Sequence, residues 1–181
     1  MLRPFYQLLF KILGWKIVGK MPDIPKFIVA VAPHTSNWDF PVGLAARSIL
    51  RIRNAQFLGK SQLFKPPFGW FFRWLGGHPV DRTTSHDMVD QVVKIFERHE
   101  KFILAIAPEG TRKKVGKLRT GFYYIAKGAK VPIVPVGFDF ARKAVIISEP
   151  FYATDNMERD METLMQFYRS VKGKNPELGL D

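Results

Sequence analysis

Three features of the sequence predict an α/β fold with a mixed, largely parallel central sheet flanked by helices. Apolar runs of strand length alternate with amphipathic helical periods along the chain. Two of those runs, residues 26–32 and 102–107, end directly in polar turns, and strand ends are where open α/β sheets gather functional groups. At 181 residues with 46% hydrophobic and 24% charged content, the chain suits one globular domain over residues 1–181 with a substantial core.

Residues 1–20 contain four basic residues and no acid. On a helical wheel Arg3, Gln7, Lys11 and Gly14 form a narrow polar stripe against a broad apolar arc of Leu2, Phe5, Leu9, Ile12, Leu13 and Ile17. This predicts an N-terminal amphipathic helix, suited either to a membrane interface or to packing on the core. Prolines at 22 and 25 break it. Residues 26–32 are apolar on both faces, as in a buried strand, and 39–51 have helical character. Residues 55–59 make a second strand. The prolines and glycines of 61–77 predict short helices that carry the aromatic cluster Phe64, Phe68, Trp70, Phe71, Phe72 and Trp74.

A short strand closes at 80–82, and Thr84 with Asp87 opens a helix in capping-box fashion, running to about residue 100. Its apolar side, Met88, Val89, Val92, Val93, Ile95 and Phe96, is expected to cover a sheet. After the strand at 102–107, residues 121–129 read as a helix and 144–147 as a strand. Residues 131–136 are strand-like, but two prolines suggest an edge or irregular position. A last helix over 155–171 presents Met157, Met161, Leu164, Met165, Tyr168 and Val171 on one face.

The net charge of +12 is unevenly placed. Residues 1–143 hold 24 Lys and Arg against 9 Asp and Glu, or +15, and residues 144–181 hold 4 against 7, or −3. A field of this sign over most of the chain attracts phosphates, whose two usual owners are nucleic acids and anionic lipid surfaces. With no cysteine there is no disulfide, thiolate metal site or cysteine nucleophile, and the four histidines are not at ligand spacing, so no metal is expected. No run approaches the 18 or so apolar residues of a spanning helix, and no cleavage site follows the N-terminal apolar part. Neither secretion nor a transmembrane span is expected.

The first strand deposits His34 and Asp39 five residues apart. A histidine accepts a proton near neutrality, and a carboxylate on its other ring nitrogen fixes the tautomer. Five residues on a helix is about 140° of rotation, so the two do not share a helical face. They meet only if His34 lies in the turn and Asp39 in the first turn of the next helix. On this stretch alone, a strand-ending histidine beside a helix-capping aspartate remains an alternative.

Four stretches together resemble the glycerolipid acyltransferases, the family of 1-acylglycerol-3-phosphate and lysophospholipid acyltransferases. His34-Thr35-Ser36-Asn37-Trp38-Asp39 resembles its H-x4-D block, and Gly76-Gly77-His78-Pro79-Val80-Asp81-Arg82 resembles its second block. Pro108-Glu109-Gly110-Thr111-Arg112 matches the third, P-E-G-T-R, and Val131-Pro132-Ile133-Val134-Pro135-Val136 the proline-rich fourth. The blocks fall in order within a motif-bearing core of residues 26–138. Pro33, Pro79, Ala107 and Lys113 depart from residues common in the family at those positions, without removing a catalytic or charged one.

The resemblance implies transfer of a fatty acyl group from acyl-coenzyme A or acyl carrier protein to a lipid hydroxyl, with no cofactor beyond the donor. It makes His34 the general base and Asp39 its orienting partner. Arg82, Arg112 and Lys60, with the backbone N–H groups of Gly110 and Thr111, become candidates to hold the acceptor's phosphate. Glu109 is expected to accept a hydrogen bond from the acceptor or to hold the arginines. The aromatic cluster, which first reads as core, is then also a candidate lining for an acyl-chain groove.

The expected acceptor is 1-acylglycerol-3-phosphate, in phospholipid biosynthesis; a lyso-aminolipid or other non-phosphatidate acceptor is the alternative. The expected place is the cytoplasmic face of the cell membrane, peripheral or monotopic, against an anionic surface. A nucleic-acid binder explains the charge but leaves Asp39 and Glu109 as liabilities, and no nucleic-acid motif is present. A serine hydrolase lacks a G-x-S-x-G elbow.

Overall fold

The computed structural model of the chain describes residues 2–52, 55–80 and 85–180, without the side chains of Lys60, Val80, Ser85, His86 and Asp87. Its helices are α1 (Arg3–Leu13), α2 (Asp39–Ile49), α3 (Gly69–Trp74), α4 (Ser85–Arg98), α5 (Gly121–Ala129) and α6 (Met157–Arg169). Its strands are β1 (Lys16–Val18), β2 (Lys26–Val31), β3 (Ala55–Lys60), β4 (Gly77–Val80), β5 (Phe102–Ile106), β6 (Ile133–Asp139) and β7 (Ala144–Ile147). They form one sheet in the order β1-β7-β6-β2-β5-β3-β4, parallel throughout except for the antiparallel β6–β7 pair.

Alternation along β2 explains why it reads as apolar on both faces. Ile28 and Ala30 enter a core layer with Val92 and Phe96 of α4, Phe122 and Ile125 of α5, and Leu164 and Tyr168 of α6. Phe27 and Val29 point the other way, into a layer with Phe10 of α1, Ala45 and Ala46 of α2, and Val134 and Val136. Each fully buried Phe or Ile contributes roughly 1.5–3 kcal/mol. Truncating Ile28, which is wholly buried, to Ala costs about 2–5 kcal/mol.

Two expectations are corrected. The N-terminal helix does not run to residue 20: Gly14 takes φ 73°, open to glycine at little cost, and its N–H closes the last turn on the Lys11 carbonyl. Residues 16–18 then pair in parallel with β7. The second correction concerns β6, which is interior, between β7 and β2. Pro135 is tolerated there because pairing with β7 begins one residue later, at Val136↔Ile147, so its missing N–H falls beyond that ladder. Its carbonyl still accepts from the Ser148 N–H at 2.9 Å.

Because β2, β5, β3 and β4 are mutually parallel, their C-terminal ends line one edge of the sheet. That edge receives the turn after β2, the turn after β5, Lys60 at the end of β3 and the end of β4 at Val80.

Candidate active site

β2 ends at Val31, and α2 begins at Asp39, so the connecting turn holds His34 while Asp39 opens the helix. The two side chains meet: His34 Nδ1 lies 2.8 Å from Asp39 Oδ2. Asp39 is 3% exposed, and its Oδ2 also accepts from the Ser36 N–H at 3.0 Å. A carboxylate in a helix's first turn is favoured by the helix dipole. An ionised carboxylate can only accept, so neutral His34 carries its proton on Nδ1 and leaves the Nε2 lone pair free to take one. Asp39 Oδ1 is buried with no hydrogen-bond partner among the described residues.

β5, the neighbour of β2, brings the second turn alongside. Glu109 is 1% exposed, and the His34 backbone N–H donates to its two oxygens at 3.0 and 3.1 Å. Burial pushes the Glu109 carboxyl above its ordinary range, and the His34 N–H pulls in the opposite direction. Glu109 thus holds the backbone of the His34 turn. Three residues on, Arg112 Nε donates to His34 Nε2 at 3.4 Å and places its guanidinium in front of that ring nitrogen.

The other expected residues divide. Gly110 stands at φ 66° and donates its N–H to the Ala107 carbonyl at 3.0 Å, so that group closes the turn and is not presented to an anion. Thr111 Oγ1 accepts from the Lys113 N–H at 3.3 Å. Lys60 ends β3 on the same sheet edge, and Arg82 lies outside the described residues.

Three supporting contacts escape sequence reasoning. Arg119 lies across Gly110, close enough that a Cβ there would meet its Nε at 2.8 Å, and its N–H holds the Pro108 carbonyl at 2.8 Å. Tyr168, fully buried on α6, donates its hydroxyl to the Ala30 carbonyl at 2.8 Å. Asn175 braces the turn itself, through Nδ2 to the Thr35 carbonyl at 2.9 Å and its own N–H to Thr35 Oγ1 at 3.2 Å. Gly173 permits this approach, since a Cβ there would stand 2.6 Å from Thr35 Oγ1. Loop polarity alone marks none of these three.

Residues 19–139 match the model of the family described as Acyltransferase, which spans both turns and the strands that carry them. The chain belongs to the acyltransferase family. Among curated acyltransferases it is 30% identical over 137 residues to the 1-acyl-sn-glycerol-3-phosphate acyltransferase of Streptococcus pneumoniae, covering 70% of this chain and 50% of the relative. The enzyme of the same name from Escherichia coli is 31% identical over 115 residues, 60% of this chain and 45% of the relative. This acyltransferase chain therefore spans about half the length of the curated relatives it matches. The crystal structure of the 1-acyl-sn-glycerophosphate acyltransferase from Thermotoga maritima shares its fold, with a TM-score of 0.60 and 23% identity over 92% of this chain and 74% of that one.

Proposed function

We propose that this chain transfers a fatty acyl group from acyl-coenzyme A or acyl carrier protein to the hydroxyl of a lysophospholipid, with 1-acylglycerol-3-phosphate as the acceptor. The observation that carries the reading is the His34–Asp39 pair at 2.8 Å, whose Nε2 accepts from the Arg112 guanidinium. In this mechanism the acceptor hydroxyl gives its proton to His34 Nε2 as its oxygen attacks the thioester carbonyl carbon. Asp39 stabilises the imidazolium so formed. The tetrahedral intermediate collapses, the carbon–sulfur bond breaks, and the same proton passes to the departing thiolate. The products are an ester and a thiol, with no covalent enzyme intermediate.

Arg112 supplies a fork for the acceptor's phosphate, with Arg82 and Lys60 as its expected helpers. An anionic group draws the guanidinium off Nε2 and leaves that nitrogen to the hydroxyl. Among the described residues no helix is long and apolar enough to cross a membrane. On our reading α1 lies in the interface of an anionic cytoplasmic leaflet: Leu2, Phe5, Leu8 and Ile12 are exposed, while Phe10 packs inward.

The test is incubation of the purified chain with acyl-coenzyme A, and separately with acyl carrier protein, against a panel of lysolipids, with products identified by mass spectrometry. Phosphatidic acid from lysophosphatidic acid is the expected product. Acylation of lyso-aminolipids without phosphatidic acid would replace the acceptor reading, and no acylated lipid with any acceptor would overturn the activity.

A further inference from the structure

Three of the chain's four tryptophans lie open to solvent: Trp38 is 63% exposed, Trp70 69% and Trp74 75%. The last two belong to α3, where Phe71 is also exposed, as is Phe68 immediately before it. Their rings form one surface, with Phe71 in edge contact with Trp70 at 6.1 Å and stacked on Trp74 at 6.2 Å. The underside of α3 is held firmly. Phe64 beneath it is buried, Arg73 donates to the Phe64 carbonyl at 3.0 Å, and the Arg73 guanidinium lies 5.5 Å from the centre of the Phe64 ring. These aromatics are therefore displayed outward on a fixed platform.

Charge identifies the occupant. Residues 40–80 contain six Lys and Arg and no Asp or Glu, and residues 1–22 contain four and none. The exposed apolar residues of α1 and α3 lie within these two acid-free stretches, and both helices are tied to the last turns of α2: Arg3 Nε donates to the Ile49 carbonyl at 3.1 Å, and Arg47 Nη1 to the Leu75 carbonyl at 2.6 Å. Asp39 opens that same α2 helix. Tryptophan and phenylalanine among cations and without acids is the composition of a surface that enters the headgroup region of an anionic leaflet. A second copy of the chain would set like charges against like.

We propose that α3 is a membrane contact in its own right, separate from α1, and that the two hold the His34 site against the leaflet. This builds on the membrane-lipid reading above, but its test measures binding and not turnover. The full chain is prepared with Trp74 as its single tryptophan (Trp15→Phe, Trp38→Phe, Trp70→Phe) and mixed with phosphatidylcholine–phosphatidylglycerol vesicles whose acyl chains are plain or brominated. The expected result is a blue shift of Trp74 emission and several-fold stronger quenching by brominated vesicles. A protein that sediments with the vesicles while Trp74 keeps its water-exposed emission, unquenched, is held by other parts alone, and the proposal fails. A blue shift that follows protein concentration without vesicles assigns α3 to self-association instead. In the otherwise native chain, Trp70→Ser with Trp74→Ser should lower vesicle partitioning at least tenfold, and unchanged partitioning overturns the proposal.

Discussion

The backbone N–H of His34 and the carboxylate of Glu109 are 75 residues apart in sequence and hydrogen-bonded at 3.0 Å, so the turn that presents the His34 ring is held from the neighbouring strand. Glu109→Ala leaves that N–H without its acceptor in a closed space, and removing one partner of a buried hydrogen bond costs about 1–3 kcal/mol. The expected outcome is a fall in kcat of about tenfold to a hundredfold with a lowered melting temperature. Glu109→Gln keeps an acceptor oxygen and should recover most of both. Steady-state kinetics alongside thermal unfolding separate the two variants.

His34→Ala is expected to remove activity while leaving the melting temperature within a degree or two, because the side chain is partly exposed and its partners are polar. A general base contributes on the order of 10²–10⁴ in rate. Asp39→Asn should approach the same loss, since an amide permits the wrong tautomer and withdraws the charge that stabilises the imidazolium. Residual turnover above about a tenth in purified His34→Ala would dismiss the base assignment.

Arg112→Lys replaces a fork by a point charge. The KM for lysophosphatidic acid should rise and that for the donor stay, with kcat/KM down roughly tenfold to a hundredfold for a charged hydrogen bond of about 1.5–3 kcal/mol. Varying each substrate separately decides it. A rise in donor KM would send this arginine to the coenzyme or carrier phosphates, and no change in either would favour an acceptor without phosphate.

Asn175 touches the Thr35 backbone and no reacting atom, so its effect must pass through the His34 turn. Asn175→Ala removes one hydrogen bond, about 1 kcal/mol. It should lower kcat several-fold while both KM values hold, and a purely structural role would show instead as a lowered melting temperature with kcat unmoved.

Away from the site, Asp160 is buried, and burial alone would raise its carboxyl. The Thr154 N–H at 2.6 Å and the Tyr123 and Thr154 hydroxyls outweigh that and hold it below the ordinary carboxylate range. The Tyr123 hydroxyl is pushed up to about 12, by burial first and then by its bond to Asp160. Since the folded pKa lies below the unfolded one, the stability Asp160 contributes is present above the unfolded value and lost as pH falls through the folded value. Asp160→Asn should therefore cost roughly 1.5–3 kcal/mol in urea unfolding at pH 7, and progressively less below about pH 4.

The sequence carried most of the frame because burial is written locally: a two-faced strand such as residues 26–31 needs apolar residues throughout, and α4 and α6 need their stripes. The meeting of His34 and Asp39 was permitted by their spacing, which also allowed a strand-ending histidine beside a helix-capping aspartate; the family resemblance chose between the two. The short β1 was hidden because Lys16-Ile17-Val18 continues the helical wheel, and only β7 makes a strand of it. Partners of backbone groups were not legible at all. Nothing in Pro108-Glu109-Gly110 tells that the carboxylate will seek the His34 N–H, or that Gly110 will spend its own N–H on Ala107. Asn175 and Arg119 acquire meaning only once the sheet has brought distant turns together.

The position of β2 in the sheet also sets an order of events during synthesis. Lys26 pairs with Phe102, and Ile28 with Ile133, so the first of these partners is made 76 residues later and the second 105. At about 5–20 residues per second a growing chain displays this hydrophobic strand unpaired for roughly 4–15 s. By the time Phe102 is made, α1, α2 and α3 are complete, while Glu109 does not yet exist for His34 to hold. The nascent chain thus exposes this core strand before it possesses an assembled site.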